Sequence, residues 1–499
     1  MKLRDKKLFK EGEQGLIAAT LQTDTASVFR WLNWLGLSYF FLLNTVYLAL
    51  ILIAASSLAG YFRRKQFSGI QDAMRSPATP PVSVLIPAHN EEVGIVESAR
   101  AVLSLEYPQF ELIIVDDGST DSTFERLRQE FDLVEIPAVI PDSVPTIGKV
   151  QSVHISRGHH DLTVVRKESI GRKTDAINVA IDLAKYPLVC VLDADALLDS
   201  DALIKVARPF IDDPQRVVAT GGAVRPSNGC AQYRGRITAV RMPNNRLAQI
   251  QVVEYLRAFL LGRTGWSKIG ALLIISGAFG MFRRDVLIAV GGYDLSSIVE
   301  DADLVARIHK YMRRQKRPYK ITFVSEPVCW TEVPETIAAL RRQRKRWSRG
   351  LVDTLSTNKS LLLNPKYGTL GLLALPYFVL FEVLGPIVEL AGFVFLIAAL
   401  ALHFVNIYFA GLFFAVAILY GILLSILSLL VEELSYHRYE RWKFLTQAMI
   451  SSVTENFGFR QLHAYWRLEG LVMALLRRDA RWEEPARKGF SQDQSIAIP

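Results

Sequence analysis

Apolar and polar positions along this chain change period three times. From residue 34 to about 61 no charged residue occurs, more than the roughly 20 apolar positions a membrane-spanning helix needs. Arg63-Arg64-Lys65 follows at once, while only Arg30 lies equally close on the other side. This asymmetry predicts that the C-terminal flank faces the cytoplasm. After a linker with prolines and serines at residues 76–81, the pattern becomes strand, turn, helix, repeated. It predicts strands over 82–86, 112–115, 162–165 and 189–192, with helices over 92–105, from about 121, and over 173–184. Strands separated by helices imply right-handed crossovers, so we expect an α/β, Rossmann-like, mostly parallel sheet. Residues 133–161, with Pro137, Pro141 and Pro145, show no period and read as an inserted loop or small hairpin.

From Gly368 the chain turns apolar again, to about residue 405 and then over 409–430, a membrane hairpin or slightly more. Glu382 and Glu389 lie inside the first stretch, where a carboxylate usually faces a protein interior or cavity. His437-Arg438 and Arg441-Trp442-Lys443 mark a return to the cytoplasm, and 446–476 is mixed enough to be interfacial or re-entrant. The expected division is a polar tail distal to the cytoplasm at 1–33, a membrane helix at 34–62, a linker at 63–80 and a cytoplasmic α/β domain at 81–340. A basic interfacial helix region at 341–368, membrane helices at 369–433, and an interfacial or re-entrant segment with a basic cytoplasmic tail at 434–499 complete it.

Composition supports a membrane part, since 50% of the 499 residues are hydrophobic. The net charge of +9 is gathered beside apolar segments, where anionic lipid is the commoner partner, so nucleic acid is not expected. Cys190, Cys230 and Cys329 lie far apart and suit free thiols in a reducing compartment.

The chemistry gathers at predicted strand ends. The buried-looking run Val189-Cys190-Val191-Leu192 stops abruptly at Asp193-Ala194-Asp195. Ligands of open α/β sheets bind outside the carboxyl ends of the strands, and two hard oxygens there suit Mg²⁺ or Mn²⁺ completed by phosphate and water. Taken alone, the same aspartates would equally serve as a helix cap. The first strand ends in Pro87-Ala88-His89-Asn90-Glu91 and the second in Asp116-Asp117-Gly118, so polar groups converge on one edge. Carboxylates there suit the uracil N–H and ribose hydroxyls of a nucleoside. No Gly-x-Gly-x-x-Gly follows either strand, which disfavours a dinucleotide. Glu300-Asp301 opens a helical pattern, and Gln343-Arg344-Lys345-Arg346-Trp347 lies in a basic helix. By themselves these read as an acidic helix start and a snorkelling interfacial helix.

In this order and separation, Asp-Asp-Gly, Asp-x-Asp, Glu-Asp and Gln-x-x-Arg-Trp resemble the processive, membrane-bound family-2 inverting glycosyltransferases, which include poly-N-acetylglucosamine, hyaluronan and cellulose synthases. The resemblance runs from Val82 to about Trp347 and more loosely through the C-terminal membrane segments. It implies a GT-A-type domain in which Pro87, Glu91, Asp116, Asp117, Lys173 and Asp193 bind the nucleotide-sugar. Asp195, with Asp193, would hold the metal, and Asp301, beside Glu300, would be the catalytic base. Arg346 would face the leaving diphosphate, with Trp347 and Gln343 at the acceptor. Two departures stand out. Arg172 splits the usual Gly-Lys pair, standing between Gly171 and Lys173, which makes Arg172 a rival for the role of Lys173, and Val299 stands where many members have Thr.

The expected activity is transfer of a sugar from a nucleotide donor, UDP-linked by preference, to a growing polysaccharide at the inner cell membrane. The enzyme would be multi-pass, with its catalytic domain cytoplasmic. The alternatives are a single transfer to a lipid or polyprenyl-phosphate acceptor and, from another class, a membrane channel or transporter with a nucleotide-sensing domain. Export partners or an oligomer stay open.

Overall fold

The computed structural model describes residues 2–65, 70–233, 235–401, 407–436 and 442–476. The basic flank at 437–441 and the tail beyond 476, both used above for orientation, lie outside them. One helix, α1 (Lys2–Lys65), runs from the polar tail through the apolar stretch, and α2 (Ile70–Arg75) lies in the linker. The domain then proceeds through β1 (Val82–Ala88), α3 (Ile95–Leu103), β2 (Phe110–Asp117), α4 (Thr123–Glu130), β3 (Leu133–Ile136), β4 (Val150–Ser156), β5 (Leu162–Lys167), α5 (Lys173–Leu183), β6 (Leu188–Leu192) and β7 (Leu197–Leu198). It continues with α6 (Ala202–Asp212), β8 (Val217–Pro226), the small hairpin β9 (Ala231–Tyr233) and β10 (Arg236–Ala239), and α7 (Arg246–Tyr255). A π-helical segment, Leu256–Gly262, leads into α8 (Arg263–Lys268); β11 (Phe279–Arg283), α9 (Arg284–Ala289), α10 (Glu300–Arg314), β12 (Lys320–Thr331) and α11 (Ile337–Thr357) follow.

The main sheet has the order β3-β4-β5-β2-β1-β6-β11-β8-β12-β7. Following the pairings outward from β1, all strands but β4, β11 and β7 share one direction, so the sheet is mixed but mostly parallel. Its centre is sandwiched. Leu85, Ile113 and Val165 face Ile177 of α5, whereas Val84, Ile86 and Ile114 face Ile95 of α3. Burial on both faces is why these strands read as continuous apolar runs rather than alternating ones. Cys190 and Cys329 are buried in β6 and β12, and all three cysteines are unpaired.

The inserted stretch pairs as β3 against β4 and β4 against β5, both antiparallel. Its proline-containing loop is held by one face of α5. Asp182 Oδ1 accepts from the amides of Ser143 (2.9 Å) and Val144 (3.2 Å), Asn178 donates to Pro145 O (2.8 Å), and Asp175 accepts from Ile147 (2.7 Å) and Gly148 (3.0 Å). Residues 175, 178 and 182 are three and four apart, hence neighbours on one helical face.

Three helical stretches among the described residues are long and apolar enough to cross a membrane: Trp31–Arg63, Leu370–Ala399 and Ile407–Tyr436. The first and third are tied to the α/β domain by polar contacts that apolar surroundings strengthen. Arg225 at the end of β8 pairs with the buried Glu432, Tyr61 donates to Glu326 (2.9 Å), and Tyr436 bonds Ser325 (3.0 Å). Residues 442–476 form two helices, Trp442–Thr454 and Arg460–Leu475, separated by a break at Phe457 and Gly458. The second packs so closely on α11 that a Cβ on Gly470 would lie 2.6 Å from Lys345 O.

Candidate active site

Parallel pairing places the C-terminal ends of β5, β2, β1 and β6 side by side: Lys167 is in register with Asp117, and Asp116 with Ala88. The turns after β1 and β2 are laced together. The Asn90 amide donates to Ser119 Oγ (3.0 Å), and Asn90 Oδ1 accepts from the Thr120 amide (2.8 Å). Asn90 has φ 54°, a left-handed conformation that asparagine tolerates better than most residues. Glu91 follows this turn.

Asp116 and Asp117 differ sharply in use. Asp116 is buried and folded back into its own turn, accepting from the Ser119 amide at 3.1 Å, with Arg166 at 3.6 Å. Asp117 is bound by Lys167 and by Ser169 Oγ (3.2 Å). Lys167 is itself completely buried, bridges to Asp175 at 2.9 Å and donates to Glu168 O at 2.7 Å. Burial raises Asp117 above the usual carboxylate range, and Lys167 opposes the rise.

Beyond β6, the Asp193 amide donates to Ala278 O (3.2 Å), which docks the Asp-Ala-Asp turn on the approach to β11. Lys173, the first residue of α5, places Nζ against Asp193 Oδ1 and 3.8 Å from Glu300 Oε1. Burial would lower its pKa, but these carboxylates outweigh burial and hold it protonated. Lys173 is thus the residue at the carboxylates, and Arg172 is exposed at the rim. Burial, then the nearby charge of Asp193, pushes Asp195 up to about 7.

Asp301 stands in the first turn of α10. Its Oδ1 accepts from the Ala302 amide (2.8 Å) and its Oδ2 from the Gly277 amide (3.2 Å). The segment Ser276-Gly277-Ala278 therefore touches both the Asp-x-Asp turn and the Glu-Asp pair. Burial, then the Glu300 charge, pushes Asp301 up to about 6.

Thr336 caps the start of α11, its hydroxyl accepting from the Ala339 amide at 3.3 Å. Within it, Arg344 is buried, forks onto Glu254 (2.6 and 2.8 Å) and lies 4.6 Å over the Trp347 ring. Gln343 Oε1 is buried without a hydrogen-bond partner among the described residues, and Arg346 is exposed.

A single cavity of about 2320 Å³ joins these elements. Of the residues expected to bind the nucleotide-sugar or metal, or to act as the base or at the diphosphate or acceptor, all line it except Asp116. The cavity also continues between the apolar helices to Glu382 and Arg467, which pair at 2.7 Å, and to Glu389 and Arg460, which pair at 2.8 Å. Several residues near it escaped the sequence reading. Lys167 depends on the register of strands far apart in the chain. Arg263 follows a π-helical segment that periodicity does not reveal. Arg460 and Arg467 belong to a mixed segment that resembles an interfacial helix, although Glu382 and Glu389 hinted at interior partners for them.

Residues 80–350 match the family described as "Glycosyltransferase like family 2", more than half of the chain. A poly-beta-1,6-N-acetyl-D-glucosamine synthase of Staphylococcus epidermidis is 30% identical over 57% of this chain and 58% of its own length. The enzyme of that name from Staphylococcus aureus strain COL is 29% identical over 56% and 58%. The matches thus span less than two thirds of either relative. A mannosyltransferase from Pyrobaculum calidifontis, solved in complex with GDP-Man and Mn²⁺, shares the fold at 18% identity with TM-score 0.52, covering 88% of this chain and 100% of its own. With the family match extending from just before β1 into α11, across all of the strands above, the chain belongs to glycosyltransferase family 2.

Proposed function

We propose that this chain is a membrane-bound, metal-dependent, inverting glycosyltransferase that extends a glycan with N-acetylglucosamine from UDP-N-acetylglucosamine. The observation that carries the reading is the single cavity, which unites the strand-end carboxylates, the Glu-Asp pair and the Gln-x-x-Arg-Trp helix and then continues between the apolar helices. A path of that extent suits a long acceptor better than one transfer to a lipid. The names of the staphylococcal relatives support the choice of sugar.

Pro87, Glu91 and Asp117 would cradle the uridine, with Asp116 shaping the turn behind them. Asp193 and Asp195 would hold Mg²⁺ or Mn²⁺. The residues fit: burial, then the charge of Asp193, raises the proton affinity of Asp195, and a bound cation would offset both. No larger cluster of His, Cys, Asp or Glu forms a cage among the described residues, which suits an ion that keeps phosphate and water ligands. When bound, the ion offsets charge on the diphosphate.

Asp301 would accept the proton of the acceptor hydroxyl as that oxygen bonds to the anomeric carbon. The bond from that carbon to the diphosphate breaks on the opposite side, so configuration inverts. Lys173 and Arg346 would set positive charge where the leaving group gains negative charge. Trp347 would stack on the acceptor sugar, with Gln343 bonding its rim. The α/β domain would face the cytoplasm, where nucleotide sugars are made.

A panel of labelled UDP- and GDP-sugars with the purified full chain tests this, with Mg²⁺, Mn²⁺ or chelator, product mass and linkage being read. UDP release and an oligomer ladder from UDP-N-acetylglucosamine alone, abolished by chelator and by Asp195→Asn, is the expected result. One sugar on a lipid would favour single transfer, and binding without turnover would favour the nucleotide-sensing channel or transporter.

A further inference from the structure

Three segments far apart in the chain bring cations to one face beside the start of the second apolar stretch, Leu370–Ala399. Lys268 ends α8, and the carbonyl of the next residue, Ile269, accepts from Thr369 Oγ1 at 2.8 Å. Arg313 and Arg314 end α10, and a Cβ on Gly368 would lie 3.0 Å from Arg313 Nη2. Lys316 and Arg317 follow α10, and Lys366 lies in the turn Pro365–Tyr367 that leads into the stretch. All six side chains are exposed, and none forms an ion pair among the described residues. Asp303 of α10 is taken by Arg307 at 2.7 Å, and Asp213 by Lys320 at 2.8 Å. Burial, then the Arg314 charge, lowers the pKa of Lys310, so the cations crowd one another without neutralisation. A helix C-terminus favours positive charge, which accounts for Arg313 and Arg314 but not for the other four.

Apolar groups complete the face. The Leu363 amide donates to Gly371 O at 3.0 Å, which fastens the turn to the apolar stretch, and Leu363 is 67% exposed beside the exposed Leu372 and Leu373. Cations and bare leucines together, at the edge of a membrane-spanning stretch, fit a bilayer surface: acyl chains cover the leucines and headgroup phosphates meet the cations. A free anion would leave the leucines in water. We propose that this face docks anionic phospholipid headgroups and so holds the far end of α10. That helix opens with Glu300-Asp301 and is 15 residues long, so the docked end lies about 22 Å from the proposed base. The docking does not depend on the glycosyltransferase reading; its consequence for the base rests on it.

The test reconstitutes the full chain in vesicles of phosphatidylcholine alone or of phosphatidylcholine with phosphatidylglycerol, and reads amine acylation by mass spectrometry. Acylation of Lys316 and Lys366 should slow at least about fivefold in the anionic vesicles, while the exposed Lys185 changes by less than about twofold. Arg314→Gln with Arg317→Gln, both at exposed positions, should remove most of this protection, and glycerol phosphate added to the neutral vesicles should give none. Equal acylation in the two vesicles overturns the proposal. So does protection by glycerol phosphate, which would mark a site for soluble anions, or protection that survives the double substitution. Sugar transfer by the wild type should be about fivefold or more faster in the anionic vesicles, and this gain should vanish in the double variant. Equal rates overturn the link to α10, whereas no transfer in any vesicle counts against the glycosyltransferase reading and leaves the acylation result to decide the docking.

Discussion

Gly350 and Val299 touch where α11 crosses the start of α10: a Cβ on Gly350 would come within 1.9 Å of Val299 Cγ2 and 2.7 Å of its Cβ. Val299 is the residue on which α10 begins, directly before Glu300-Asp301. The helix that carries Gln343 to Trp347 therefore rests on the support of the proposed base, and the valine that departs from the usual Thr is the surface it rests on.

Gly350→Ala should consequently displace Val299 and with it Asp301. Overpacking of this kind costs about 1–3 kcal/mol, so both the unfolding midpoint and sugar transfer should fall, the latter about tenfold. Val299→Ala in the same chain should restore both. A Gly350→Ala enzyme with wild-type midpoint and rate would show that the two helices do not report to each other.

Lys167, a fully buried cation, should be costly to remove. Lys167→Met leaves Asp117 and Asp175 buried without their shared cation, and breaking a buried ion pair in this way costs about 3–5 kcal/mol. Thermal unfolding in detergent should show a clearly lowered midpoint, partly recovered by adding Asp175→Asn. A midpoint equal to the wild type would mean that the cluster does not pin the 133–161 insertion to the donor side.

The role proposed for Asp301 as the base sets the expected pH dependence. A base must be unprotonated, and its pKa is pushed up to about 6, so kcat/KM should rise with pH through about 6 and level off above it. An ordinary carboxylate would place this limb near 4. Glu300→Gln removes one of the causes of the upward shift and should move the limb to lower pH. A limb that ignores Glu300→Gln would assign the titration to another group.

Much of this arrangement was legible in the chain itself. β1, β2, β5 and β6 are buried on both faces, so they survive as apolar runs, and the carboxylates at their ends mark the ligand edge. What could not be read depends on contacts between distant segments. β11 enters antiparallel between β6 and β8, a placement with no local signature. The ion pair of Lys167 with Asp117 exists only once β5 and β2 are in register. Arg460 and Arg467 look like interfacial residues until Glu389 and Glu382 are seen opposite them.

The most direct test of the account is Asp301→Asn, with donor binding and sugar transfer measured on the same preparation. The substitution keeps the shape of the side chain and removes its basicity. UDP-N-acetylglucosamine affinity should survive while transfer falls by about 10²–10⁴-fold, the usual contribution of a positioned base. Transfer at the wild-type rate, or donor affinity lost as completely as transfer, would contradict the account, because Asp301 would then be a structural or nucleotide-binding residue.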